Sequence, residues 1–435
     1  MKNKEVLKTV LIFIILFSTF IILLTLISMF PSKLISKNVE KSLEVLKKEG
    51  NFPKIKYALN YRLDNYTDAL MINTAYSIDS REPLTSALLA RRNYQCNRKE
   101  KLALIEIDSE NTIQNLEHTL REENTEYCEY SRYWHGYLVF LRPLLLFMDY
   151  AKIRILLILV INILLIITCY YIWKKINLKY AFAFFISMIL AASIHLIGLS
   201  LQYSSIFIIS LCSTLYILLK QDKINIYILF FITGGITCFM DLLTCPIITF
   251  GIPLIIYIAL NENKDLKDIV KIIIKLGIYW GLGYCAIWFS KWLITDSIYK
   301  TNTIESAINK IKGYSGMEEG ININISIIDS FIANIEYIFP IISILIITII
   351  LTIPNIFIEN RKMLLKNLPY IIIAIIPFVW YAVTKKHAYI HARFTYKNLV
   401  VTTICLSIVA LNNLQYMVKQ LNKTTNTRST KWNAH

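Results

Sequence analysis

The chain has 435 residues, of which 55% are hydrophobic, and carries a formal charge of +16. A mean hydropathy of +0.50 over that length excludes an ordinary soluble globular protein. Lys and Arg sit mostly between apolar runs, so short cationic loops at a cytoplasmic face account for the charge and no nucleic-acid partner is implied.

At the N-terminus, Lys2, Lys4 and Lys8 precede an apolar run over 9–30. That run is long enough to cross about 30 Å of hydrocarbon at about 1.5 Å per residue. It exceeds a signal-peptide core, and Ser32-Lys33 makes a poor cleavage site. Residues 1–31 therefore read as an uncleaved first transmembrane helix with its N-terminus in the cytoplasm. Residues 32–152 form the largest polar region and fall outside as an extracytoplasmic loop domain. It opens with an amphipathic stretch over 34–46 and carries a charged run over 121–129. It closes with an aromatic segment from Tyr133 to Phe147, interrupted by Arg142 and Pro143, that suits a helix lying in the interface.

Further apolar runs follow at approximately 153–173, 180–199, 204–219, 224–242, 244–260, 272–294, 335–358, 368–383 and 399–411. With the first they make about ten spans. A multi-span bundle thus occupies 153–411, and a basic cytoplasmic tail occupies 412–435. Alternating sides places Lys174, Lys175, Lys220, Lys223, Lys264, Lys267, Arg361 and Lys362 inside, with both termini cytoplasmic. The sequence predicts an all-α polytopic protein of the plasma membrane with a long, partly interfacial-helical first extracytoplasmic loop. The pair of runs hinged at 242–246 also fits a re-entrant hairpin.

Among the short outer loops, one breaks the positive-inside rule. Residues 385–397 gather Lys385, Lys386, His387, His391, Arg393 and Lys397. Anchoring an anionic lipid head group or pyrophosphate gives that exception a reason, because Arg suits bidentate phosphate contact and Lys or protonated His suits point-charge contact. A loop held loosely on lipid head groups is the plainer alternative. In the first loop, Asp64 and Asp68 stand four apart, on one face of a helix. Such a pair serves as general base toward a hydroxyl or as hard oxygen ligands for a divalent cation, Mg or Mn; helix capping is the structural alternative. Asp241 closes an apolar run, where a carboxylate is costly unless paired. His195 stands alone on an apolar helix and reads as packing. His135 and Arg142 lie beside the aromatic belt and are placed to line a lipid-facing groove. Of eight cysteines, only Cys96 and Cys128 lie in the polar region, and an extracytoplasmic setting permits a disulfide between them. There is no Cys-x-x-Cys, nucleotide-binding loop or His-Glu-x-x-His.

An N-terminal helix, a long Asp-bearing first outer loop, about ten spans and a late basic outer loop resemble the GT-C membrane glycosyltransferases. The resemblance is architectural and covers most of the chain. It implies transfer of a sugar from a polyprenyl-phosphate carrier to an extracytoplasmic glycan or lipid acceptor. By position, Asp64 or Asp68 matches the catalytic carboxylate of that family, and Lys386, His387 and Arg393 match its carrier-phosphate site. The family often shows an adjacent acidic pair early in the loop, whereas the carboxylates here are spaced. Two other classes fit the same layout: a flippase of a lipid-linked saccharide, which would need ionisable residues near the midplane of the spans, and an envelope assembly subunit that binds a partner through its outer loop.

Overall fold

In the computed structural model, which describes residues 3–55, 61–94, 96–102, 105–122, 126–220, 223–315, 325–359 and 361–432, the first apolar run is one helix, α1 (Asn3–Ser28). The polar region folds as α2 (Ser36–Glu49), α3 (Asn65–Tyr76), α4 (Pro83–Leu89), β1 (Arg92–Tyr94), β2 (Cys96–Leu102), β3 (Ile105–Glu110), α5 (Thr112–Leu120), β4 (Glu126–Cys128) and α6 (Leu138–Phe147). The bundle follows with α7 (Tyr150–Lys175), α8 (Leu178–Leu190), α9 (Ile194–Ile197), α10 (Leu201–Lys220), α11 (Ile226–Met240), α12 (Ile248–Ala259) and α13 (Leu266–Tyr299). It ends with α14 (Thr303–Ser315), α15 (Ile327–Ile335), α16 (Phe339–Glu359), α17 (Arg361–Val383), α18 (Lys385–Ile390), α19 (Ala392–Thr395) and α20 (Val400–Trp432).

The chain is helical as expected, through the bundle and most of the first loop. The first loop contains two short antiparallel ribbons, β1 with β4 and β2 with β3. In the second, Lys99 stands opposite Asp108 and Lys101 opposite Glu106. Around these ribbons the helices of the loop pack on α3, which is buried on nearly every side. The loop is joined to the bundle through aromatic groups. Trp134 is fully buried, its indole N–H donates to Ile287 O at 2.8 Å, and its ring packs against Phe17, Phe20 and Phe239. The indoles of Trp288 and Trp292 both donate to Arg132 O. On α6, Phe140 and Phe147 are exposed whereas Leu138, Leu141 and Leu145 are buried, the one-sided pattern expected of a helix lying at an interface.

Among the described residues, seven helical runs are long and apolar enough to cross a membrane: Glu5–Ser28, Tyr150–Lys175, Leu201–Lys220, Leu266–Tyr299, Ile327–Thr352, Met363–Val383 and Ala392–Gln420. The other expected spans are shorter helices of 13, 15 and 12 residues, α8, α11 and α12. The apolar run 180–199 is interrupted after α8, where Ser193 takes φ 51° before the single turn of α9. Hydropathy cannot see that break, because Ala191-Ala192-Ser193 is as apolar as a helix. Gln202 and Tyr203, expected in a connecting loop, belong to the first turn of α10.

Side-chain bonds define the two ends of the bundle. At one end, Thr244 after α11 donates to Gln202 at the start of α10, and the His387 ring of α18 meets Leu243 O at 3.0 Å. At the other end, the carboxylate of Glu262 after α12 accepts from Tyr180 at the start of α8 and from Tyr370 of α17, and pairs with Lys366 at 2.7 Å. Between these ends α11 and α13 cross with their backbones in contact. A Cβ on Gly234 would lie 2.0 Å from Trp280 O, and one on Gly283 would lie 2.0 Å from Phe231 O. Only glycine fits at either position, the small-residue packing typical of helices in lipid.

Candidate functional site

The first loop delivers its two carboxylates to the end of the bundle that holds α18. Asp64 is the N-cap of α3, accepting from Thr67 N at 3.0 Å and Thr67 Oγ1 at 3.1 Å, and its Oδ2 also takes the Gln202 amide at 2.5 Å. A carboxylate offers about four lone-pair sites, so one remains open. The side chain is 1% exposed, and burial raises its pKa while the nearby Arg393 guanidinium pulls it back.

Asp68, one turn on, faces the same way and caps a different helix. Its carboxylate accepts from Leu201 N at 2.9 Å and Gln202 N at 3.3 Å, the open N–H groups of α10, and from Tyr150 OH at 2.5 Å. Burial pushes its pKa up to about 7 against the pull of the Tyr150 hydroxyl and the Arg154 charge. Behind it, Arg154 donates to Tyr150 OH at 2.6 Å and Asn65 Oδ1 at 2.6 Å, and pairs with Glu49 at 2.9 Å. Tyr150 and Arg154 are one turn apart on α7, so the helix itself aligns the chain Glu49–Arg154–Tyr150–Asp68. None of these partners stood out in the sequence.

The basic segment is not a loop on the surface. It folds as α18, α19 and a tight turn over 396–399, pinned when Tyr381 OH donates to Thr395 O and when Asn334 bridges Ala388 O and Thr395 Oγ1. This turns Lys397 fully inward, at 0% exposed. Its ammonium lies over the rings of Tyr203, Tyr396 and Tyr61 at 4.2, 4.4 and 4.8 Å, within electrostatic reach of Asp64. Lys397 Nζ has no hydrogen-bond partner, and neither has Arg393 Nε. The Arg393 guanidinium covers the Phe52 ring at 3.9 Å. An ammonium and a guanidinium Nε without acceptors, within electrostatic reach of a buried carboxylate, leave room in the bonding for an anion.

The histidines play a different part. His387 is buried, and its Nε2 faces Leu243 O, so that nitrogen carries the proton and Nδ1 presents a lone pair. Burial lowers its pKa to about 4, and burial together with the charges of His387 and Arg393 lowers that of His391 well below the usual value. With its Nε2 on Leu243 O, the unpartnered Nδ1 of His387 suits a hydroxyl donor rather than a phosphate oxygen. The groups left to suit an anion are Arg393 and Lys397. Lys385 and Lys386 are half-buried at the edge of the segment.

Asp241 joins the group indirectly. It caps the turn after α11 by accepting from Thr244 N at 3.0 Å, and Thr244 Oγ1 donates to Gln202, whose amide holds Asp64. His135 and Arg142 lie elsewhere, and neither presents its polar atoms to a lipid-facing groove. His135 is buried between Tyr130 O and Tyr137 OH, at 2.8 and 3.0 Å. Arg142, fully buried, donates to Ile27 O, Phe30 O, Ala75 O and Ser32 Oγ, tying the end of α1 to the end of α3. Among the described residues no three His, Cys, Asp or Glu side chains come together as metal ligands. The oxygens of Asp64 and Asp68 are turned to N–H and O–H donors, which does not fit a divalent cation held between them. Cys128 lies on β4 opposite Arg92; the Cys96 side chain, and with it the pairing of the two, lies outside the described residues.

No family model, no curated protein and no solved structure matches this chain.

Proposed function

We propose that this chain is a membrane glycosyltransferase of the GT-C kind, taking a sugar from a polyprenyl-phosphate carrier. The observation that carries the reading is the meeting of Asp64 with Arg393 and Lys397, residues more than three hundred positions apart, in one buried polar cluster at one end of the bundle. The carrier phosphate binds at the two free cations. The acceptor hydroxyl gives its proton to Asp64 as its oxygen bonds to the anomeric carbon. The bond from that carbon to the phosphate oxygen breaks, and its electron pair leaves on the phosphate, where Arg393 and Lys397 meet the growing charge. Asp68 holds the first turn of α10, and so the Gln202 amide on Asp64. Charges at the rim, and almost none along the middle of the described spans, favour surface chemistry over transport.

In the membrane we read about ten crossings. The three short helices lie between the same two ends as their longer neighbours, since α12 runs from the Thr244 turn to Glu262 and α8 leaves the end marked by Tyr180. Both termini are then cytoplasmic and the Asp64 end faces outward.

Asp64→Asn tests the chemistry. Asparagine caps a helix as well as aspartate, so folding and polyprenyl-phosphate binding should persist while transfer of labelled sugar falls by roughly 10²–10⁴. Full transfer by Asp64→Asn would remove Asp64 as the base.

A further inference from the structure

We propose that the acceptor is itself a membrane lipid with a free hydroxyl, its hydrocarbon chain seated in an apolar groove that begins beside Asp68. This rests on the transferase reading and names the second substrate of the same site. The groove has a volume of about 590 Å³ and is lined from α1, α3, α6, α7, α10 and α11, within the size range of small-molecule sites. Its wall is apolar apart from Tyr137, Ser204 and Ser205. The rim residues Leu23 and Phe140 are exposed at 37% and 60%, on the flank where the α1 and α7 faces are also exposed. A groove that opens there fills with hydrocarbon.

Its lining includes neighbours of Asp68, though neither carboxylate itself. Met71 lines it three residues after Asp68, on the same face of α3, and so does Leu201, whose N–H donates to Asp68. The geometry of α10 then separates two compartments. Leu201, Ser204, Ser205 and Ile208 form one stripe toward the groove. Tyr203, at about 200° from Leu201 around the helix, turns the other way and lies over Lys397. Gln202 sits between them and holds Asp64. The free cations are therefore on the far side of α10 from the groove, and the arginines beside its lining are already bonded, Arg154 to Glu49 and Arg142 to Ile27 O, Phe30 O, Ala75 O and Ser32 Oγ. A phosphate head belongs with Lys397 and Arg393. The chain in the groove belongs to a lipid whose head offers an uncharged hydroxyl to the carboxylates, from which Asp64 takes the proton as the new glycosidic bond forms.

The test uses the full chain in nanodiscs and two photoactivatable probes, a diacylglycerol and a polyprenyl phosphate, each with a diazirine on its chain. The diacylglycerol probe should label the groove at Leu157, Ile208 or Ile209, in competition with unlabelled diacylglycerol and not with polyprenyl phosphate. Ser205→Trp, which fills the groove, should cut that labelling about tenfold and leave polyprenyl-phosphate affinity within about twofold. Labelling of the groove by the polyprenyl probe, or competition by polyprenyl phosphate, would assign it to the donor and overturn the proposal. Absence of groove labelling by the diacylglycerol probe in the unmodified chain would overturn it as well. Either result leaves the role of Asp64 intact, whereas an active Asp64→Asn enzyme would remove the transferase reading whatever the groove holds.

Discussion

Lys397→Met separates a residue kept for packing from one kept for a ligand. The substitution conserves volume and removes only the ammonium. An ion taken out of water without a hydrogen-bond partner costs several kcal/mol. The three tyrosine rings around Lys397 return about 0.5–2 kcal/mol each, and Asp64 adds a distant attraction. Together the rings return about 1.5–6 kcal/mol, so a deficit of about 1–3 kcal/mol is left at this side chain when they return the lower part of that range. Methionine, which makes favourable contacts with aromatic rings, should relieve it. At roughly 2–4 °C per kcal/mol for domains of 150–250 residues, and less for a longer chain, we expect the thermal midpoint in detergent to rise by roughly 2–5 °C. Affinity for polyprenyl phosphate should fall at least about tenfold, since a charge-assisted bond to phosphate contributes about 1.5–3 kcal/mol. The gain in stability and the loss of binding must appear together. A lower midpoint with unchanged binding would show that Lys397 holds the fold, and the anion site would lose its main residue.

Three further outcomes are expected. Arg142→Met strands buried acceptors at Ile27, Phe30, Ala75 and Ser32 and should lower stability by about 3–5 kcal/mol, read as loss of folded protein on size-exclusion chromatography without any specific loss of lipid binding. His387 is depressed from 6.5 to about 4 by burial, so the unfolded chain takes up a proton that the folded one refuses; stability is present above pH 6.5 and is lost as pH falls toward 4. The wild type should lose about 1.4 kcal/mol per pH unit from this group, and His387→Gln should flatten that part of the curve; an unchanged slope would mean that another group titrates there. Cysteines introduced at Asn51 should react with an impermeant reagent on intact cells, and those at Lys264 only after permeabilisation, the reverse pattern contradicting the orientation.

The long helices were plain in the sequence because apolar length is itself the signal. Asp64 and Asp68 were also visible, since a spacing of four places two carboxylates on one face. What that spacing hides is the partner each finds. Asp68 caps α10, which lies more than a hundred residues away, and Gln202 is a lone amide in what reads as an uncharged connection. The basic segment was visible as an exception, but a dense run of cations ordinarily marks a solvated surface. Its burial depends on Asn334 and Tyr381, which no local pattern links to it. Lys397 is four residues beyond Arg393, a helical interval, so a signal for the pair existed. The ribbons between Arg92 and Cys128 escaped because their strands are short and strongly charged.

The contact of Gly234 with Trp280 and of Gly283 with Phe231 also governs what can move. Backbones that touch cannot slide or rotate past each other, so α11 and α13 form one rigid body. The Tyr299 end of α13 grips the first loop through Lys291, Trp288 and Trp292, and the Met240 end of α11 leads into the Thr244 turn and Gln202. The carboxylate half of the cluster is thereby fixed to a single block. Arg393 and Lys397 sit on the other half, which meets that block through ring faces and, beside the site, the bond from His387 to Leu243. On the proposed reading, a phosphate reaches the buried ammonium only if the two halves part, and the bond from His387 to Leu243 lies on that seam.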